Sequence, residues 1–243
     1  LKDEISDFEL DCVIVGSEGD KSRKMVEEFG HHYVEEENQP LSRKWNAGLK
    51  STRSMNPDVV IVLGSDDFTS PRTIQSLCKS ISEGRLMTGL MDMHIFDSIG
   101  ERMYHWNGYV MNNPQRRWET IGMARCLSRK LLEKVDFSIW DDEDIDRGLD
   151  GLMTRKLSKI GMIPIPYGEE VWLELDGSIY GFGHTGIYSS EIGGFAVDVK
   201  SGENITPLER YNISDFQLIG EYEEIMKESL GEVVFEEITS IGE

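Results

Sequence analysis

Residues 38–68 read NQPLSRKWNAGLKSTRSMNPDVVIVLGSDDF. Pro40 and Ser42 open a helix in which Trp45 and Leu49 fall four apart on one face, and Asn56-Pro57 stops it. Residues 58–63 then form a continuous apolar run, the pattern of a strand covered on both faces. The run leads straight into Ser65-Asp66-Asp67. Open α/β sheets bind ligands beyond the carboxyl ends of their strands. Two adjacent carboxylates at such a place suit a hard divalent cation, and that cation can grip a diphosphate. A purely structural role, capping the next helix, is already filled by Thr69 and Ser70 ahead of Pro71.

Upstream, residues 11–16 form a first apolar strand that ends in the polar turn Ser17-Glu18-Gly19-Asp20. A weak helical pattern runs from Ser22 to Phe29 and closes on Gly30, and His32-Tyr33-Val34 is a short strand. Downstream, Pro71 to about Ser82 is a helix ending near Gly84, and 86–96 reads as one strand. The aromatic stretch 101–120 is irregular, 121–127 is a strand or turn, and Ser128 caps a helix through Lys134. The acidic segment 141–146 precedes a helix of roughly Leu149 to Ile160, whose Arg155, Lys156 and Lys159 complement the helix dipole. Short strands and Gly-rich turns fill 162–200. Ser214 then caps an amphipathic helix carrying Phe216, Ile219, Tyr222, Ile225 and Met226, and Gly231 ends it. Alternating strands and helices followed by shorter mixed elements indicate an α/β fold.

Composition narrows the function. The chain has 243 residues and a net charge of −20, which repels nucleic-acid backbones and anionic membranes. Direct nucleic-acid binding is therefore not expected. A small phosphorylated ligand remains compatible, because one metal ion and a few basic side chains reverse the potential locally. The sequence holds no apolar run long enough to span a bilayer. Cys12, Cys78 and Cys126 are odd in number and far apart, which suggests reduced thiols and a cytoplasmic setting.

The pattern N-x-P-L-x-x-K-W-N-A-G-L followed by D-V-V-I-V-L-G-S-D-D resembles the glycosyltransferase-A fold, in particular the large family-two group of glycosyltransferases. The resemblance is strongest over 10–165. It implies a Rossmann-like nucleotide-diphospho-sugar transferase fold, with a mostly parallel central sheet and helices on both faces. It also implies that the first strand and helix of the family, which would come before Leu1, are missing from this sequence. By the resemblance Asp67 is the metal ligand and Asp66 contacts the donor ribose or sugar. Lys44, Asn46 and Gly48 match family positions near the nucleotide, and Ser17 or Glu18 takes the place of the acid that contacts the base. Gly122 opens the segment that lines the donor sugar. Asp150 takes the position of the general base of inverting members, with Asp144 and Asp146 as fallbacks and Asp142 and Glu143 as a solvated charge run. His184 matches the late histidine that serves many enzymes of this fold as a further metal ligand. His105 falls on the acceptor side, where Trp106 and Tyr109 offer faces for a sugar ring.

The expected organisation is a catalytic domain over 1–212, with a donor half to about 97 and an acceptor half from 98, then the helix and tail of 213–243. The expected activity is inverting transfer of a sugar from a nucleotide-diphosphate donor to an acceptor hydroxyl on a glycan, lipid or protein, with Mn²⁺ or Mg²⁺. The alternatives are a sugar-phosphate nucleotidyltransferase, which needs a Gly-rich basic loop that Ser17 to Lys21 supplies poorly, and a non-catalytic carbohydrate- or protein-binding relative. Trp140 and Trp172 are expected in the core. Asp198-Val-Lys200 and Asn204-Ile-Thr206 stand out as polar motifs to which only a strand and a turn can be assigned.

Overall fold

The computed structural model describes residues 8–110, 116, 118–140, 144–163, 165, 171–175, 178–201, 204, 208 and 215–241, with backbone only at 110 and 171–185. In chain order the elements begin with β1 (Val13–Gly16), α1 (Asp20–Glu28), β2 (His32–Glu35), α2 (Leu41–Thr52), β3 (Val59–Val62), β4 (Asp67–Thr69) and α3 (Pro71–Ser82). There follow β5 (Arg85–Leu90), β6 (Met93–Asp97), β7 (Arg102–Trp106), β8 (Arg125–Ser128), α4 (Arg129–Lys134) and α5 (Leu149–Ser158). The last are β9 (Val171–Leu175), β10 (Ser178–Ile187), β11 (Ala196–Lys200), β12 (Phe216–Ile219), α6 (Tyr222–Leu230) and α7 (Glu232–Ser240).

The fold is α/β, with β1 and β2 forming a parallel pair and two five-stranded sheets ordered β3-β8-β5-β10-β9 and β12-β7-β6-β11-β4. Both large sheets are mixed, contrary to the mostly parallel sheet expected. β10 runs parallel to β5 but antiparallel to β9, and β11 runs parallel to β6 but antiparallel to β4. The chain divides into two compact units, Ile61–Cys126 with Pro164–Glu243, and Lys2–Val60 with Leu127–Ile163.

Within the second of these units, α2 is tied down at its N-terminal end. Ser42 N donates to the Ile145 carbonyl, and Leu41 N donates to Asp146 Oδ1 at 2.9 Å. Asp146 thus satisfies a free helix N–H, and Arg43 pairs with Asp144 through two bonds of 2.9 and 2.6 Å. Trp140 is 1% exposed, packs edge-on against Trp45 and donates its indole N–H to the Leu149 carbonyl. The expected caps form: Ser128 accepts from Leu131 N at the start of α4, and Gly30 is left-handed at φ +73.

In the other unit, three expectations change. The single strand expected over 86–96 is two strands in different sheets, because the chain turns at Met91-Asp92. Asp92, 1% exposed, accepts from Ser189 N (2.6 Å), Ser189 Oγ (3.0 Å) and His105 Nε2 (2.9 Å). Burial works against this carboxylate, but the bonds from His105 and Ser189 outweigh it and hold its pKa below the ordinary value. The stretch expected to be irregular begins with the regular strand β7, which forms a hairpin with β6 whose turn is closed by Gly100 N donating to Asp97 Oδ1. The helix expected from Ser214 starts later. Residues 216–219 are β12, paired antiparallel with β7, while Ser214 itself lies outside the described residues. α6 and α7 follow, and their Met226, Phe235 and Ile238 pack with Phe96, Met103, Val197 and Val199 in one apolar cluster.

The run 58–63 is also less enclosed than its composition implies. β3 is the edge of its sheet and half-buried throughout, and Leu63 is exposed. Beyond it, β4 is clamped to β11 at the start of α3. Ser70 N donates to the Phe195 carbonyl, and Phe195 N reaches Ser70 Oγ and Thr73 Oγ1, both at 3.0 Å. A Cβ on Gly194 would lie 2.5 Å from Thr73 Oγ1, so the close approach requires glycine there.

Replacing Asp92 with alanine leaves buried donors of Ser189 and His105 unpaired. A loss of about 2–4 kcal/mol in chemical unfolding is expected from stranding such groups. A loss below about 0.5 kcal/mol would show that the Met91-Asp92 turn is held by something else.

Candidate metal centre

The site arises from strand register. β4 and β11 pair so that Asp67 stands directly opposite Asp198. Directly opposed residues share a sheet face, so the two carboxylates project side by side. Alternation along β11 then puts Lys200 on that same face and Val197 and Val199 on the other, where they join the apolar cluster. Asp66 precedes β4, and its carbonyl accepts Val199 N at 2.9 Å, extending the ladder. Asp66, Asp67 and Asp198 each place an oxygen within 4.8 Å of the others.

Each carboxylate is anchored through its Oδ2 atom. Lys200 Nζ lies 2.6 Å from Asp198 Oδ2 and 3.8 Å from Asp66 Oδ2. Asn204 Nδ2 donates to Asp66 Oδ2 at 2.7 Å and to the Val199 carbonyl at 2.9 Å, while its Oδ1 accepts from Ser201 N. Gly64 N donates to Asp67 Oδ2 at 2.7 Å. A Cβ on Gly64 would sit 3.0 Å from both Asp66 Oδ1 and Asp67 Oδ2, so a side chain there would crowd the carboxylates. Asp198 Oδ1 is buried and, among the described residues, has no hydrogen-bond partner.

Among the described residues, three carboxylates thus face one ammonium. Like charges opposed across a ladder are destabilising, and burial of uncompensated charge is costly. Burial first, and then the charge of Asp198, push Asp67 up to about 7 against the help of Gly64 N and Lys200. Burial likewise pushes Asp198 up to about 6, with Lys200 opposing. An all-oxygen donor set suits a hard cation such as Mg²⁺ or Mn²⁺. The orphaned Asp198 oxygen is the kind of group such an ion satisfies.

The other residues singled out in the sequence take varied places. Asp66 and Asp67 are brought together as expected. They follow β3 by a turn, and Asp67 opens β4 rather than closing β3. His184 pairs with Met87 in the β10–β5 register, but its side chain lies outside the described residues, and the third carboxylate of the cluster is Asp198. Ser17 N and Oγ and Ser22 Oγ all donate to Glu18 in an exposed turn, and the Ser17 bonds hold the Glu18 pKa low. Lys44 Nζ reaches Asn38 Oδ1 at 2.5 Å. Asn46 and Gly48 serve the fold. Asn46 is 3% exposed and its Oδ1 accepts from Ile139 N and Trp140 N, and a Cβ on Gly48 would meet Val15 Cγ2 at 3.0 Å. Gly122 lies in the turn before β8, and Asp150 in the first turn of α5. Trp106 packs edge-on to Tyr109 and against Phe216.

Asp198, Lys200 and Asn204 lie in the two polar motifs to which the sequence assigns only a strand and a turn. The signal was the alternation in Ala-Val-Asp-Val-Lys, which sets two charged groups on one face of an otherwise apolar strand.

No protein-family model, curated protein or solved structure matches this chain.

The raised carboxyl groups give a signed pH dependence. Asp67 binds its proton more tightly in the folded chain than at its ordinary value of 3.8, so the folded state holds extra protons between about pH 4 and 7. This contribution to metal-free stability falls as pH rises through that window. A bound cation displaces those protons, so its stabilising effect grows over the same range. Mn²⁺ is expected to raise the thermal midpoint several degrees more at about pH 8 than at about pH 5, at about 2–4 °C per kcal/mol for a chain of this size. Asp67→Asn is expected to raise the metal-free midpoint at about pH 8 and to abolish the Mn²⁺ response. An equal response at both pH values, or an intact one in Asp67→Asn, would contradict the site.

Proposed function

We propose that this chain is a metal-dependent glycosyltransferase that moves a sugar from a nucleotide-diphosphate donor to an acceptor hydroxyl with inversion. The observation that carries the reading is the Asp66, Asp67 and Asp198 cluster, which lies just beyond the apolar strand β3. The glycosyltransferase-A assignment belongs to the same proposal. It is supported by the strand–helix alternation from β1 to α3 and by the parallel β1–β2 pair.

Asp66, Asp67 and Asp198 would hold the ion. When bound, Mn²⁺ or Mg²⁺ supplies neutralisation of the charge that develops on the departing diphosphate. Asn204 and Gly64 keep Asp66 and Asp67 in place by the bonds described above, so the donor set is preorganised. Ser17 or Glu18, Lys44 and Gly122 keep the donor-side roles that the sequence resemblance implies, and Asn46 and Gly48 act as supports of α2. Asp150 keeps the general-base role that the sequence resemblance implies, taking the acceptor hydroxyl proton as that oxygen attacks the anomeric carbon. The transition state at the sugar is oxocarbenium-like, as in other glycosyl chemistry.

The experiment is release of nucleoside diphosphate from a panel of nucleotide sugars, with and without Mn²⁺. Turnover is expected to require the metal and to fall by about 10²-fold or more in Asp67→Ala and Asp198→Ala. Asp150→Asn is expected to lose transfer by about 10²–10⁴-fold, the usual worth of a general base, while still binding Mn²⁺. Metal-independent turnover, or unchanged turnover in Asp67→Ala, overturns the reading.

A further inference from the structure

We propose that Lys200 is the fixed counter-cation of the carboxylate cluster, and that its ammonium lowers the affinity of the site for a divalent ion. The inference rests on the metal reading above and concerns a residue of this chain rather than the ion. Lys200 closes β11, and its side chain is only 6% exposed. It contacts two of the three carboxylates, at 2.6 Å from Asp198 and 3.8 Å from Asp66.

The charge balance gives Lys200 its effect. Three ionised carboxylates carry three negative charges, and the ammonium cancels one. The remaining two match one divalent ion. The ammonium contacts Oδ2 atoms, and Asp198 Oδ1 is buried without a hydrogen-bond partner among the described residues, so the two cations can share Asp198 without sharing an oxygen atom. They still repel one another at close range in a poorly screened setting. Lys200 therefore acts against metal binding. It also acts for the folded state when no metal is bound, because it relieves the repulsion between Asp67 and Asp198. A merely supportive lysine, one that only splints the carboxylates, would have the opposite effect on affinity, since its loss would loosen the donor set.

The test is titration calorimetry with MnCl₂ on wild type, Lys200→Met, Lys200→Gln and Lys200→Arg, each checked for folding by circular dichroism. Lys200→Met and Lys200→Gln are expected to bind Mn²⁺ about tenfold or more tightly than wild type, and Lys200→Arg to stay within about threefold of it. Wild-type binding with equal or weaker binding in a folded neutral variant overturns the role of Lys200 and leaves the metal site standing. Binding only in the neutral variants supports the role of Lys200 as an excluding charge and removes the metal-dependent transferase reading. Absence of binding in every protein overturns both. If one neutral variant fails to fold, the other decides.

Discussion

Asp67 opposite Asp198 is the constraint on which the rest of the site depends. The β4–β11 ladder places two carboxylates side by side, in partly enclosed surroundings, with a third from Asp66 within reach. Such a pairing is unfavourable in a strand chosen only for stability. The surrounding groups are arranged around that conflict. Lys200 offsets part of the charge, Gly64 and Asn204 donate into the cluster, and Gly64 lacks the side chain that would crowd it.

The register itself is held from two sides. At the start of α3, Ser70 and Thr73 clamp the Phe195 backbone and fix where β11 begins. On the far face of β11, Val197 and Val199 are locked into the cluster formed with Phe96, Met103 and the helices α6 and α7. A slip of one residue would turn those valines toward the carboxylates and bury the aspartate and lysine among apolar side chains. The apolar face thus specifies the charged one, and α6 and α7 contribute to the site through that face.

Local signals in the sequence are read reliably, and pairing between distant segments is not. Ser70-Pro71 and Ser128 start helices because a hydroxyl beside a free backbone N–H is a local matter of a few residues. Asp66 and Asp67 were visible because they follow an apolar run directly. Asp198 was not, since nothing local tells that residue 198 pairs with residue 67. The break at Met91-Asp92 was hidden for the same reason: its cause is Ser189, 97 positions away. Residues 216–219 carry a pattern that suits a helix face, but the β7 edge claims them as a strand. Asn46 matched a nucleotide-contacting position in the resemblance, yet its carboxamide oxygen is taken by the backbone of Ile139 and Trp140.

In the proposed site Asp66, Asp67 and Asp198 together grip one divalent ion. Crystals grown with Mn²⁺ and measured for anomalous scattering test it most directly. A single strong anomalous peak is expected within bonding distance of an oxygen from each of the three aspartates, with Lys200 still paired to Asp198. The absence of a peak there at millimolar Mn²⁺, or a peak held by other residues alone, would contradict it.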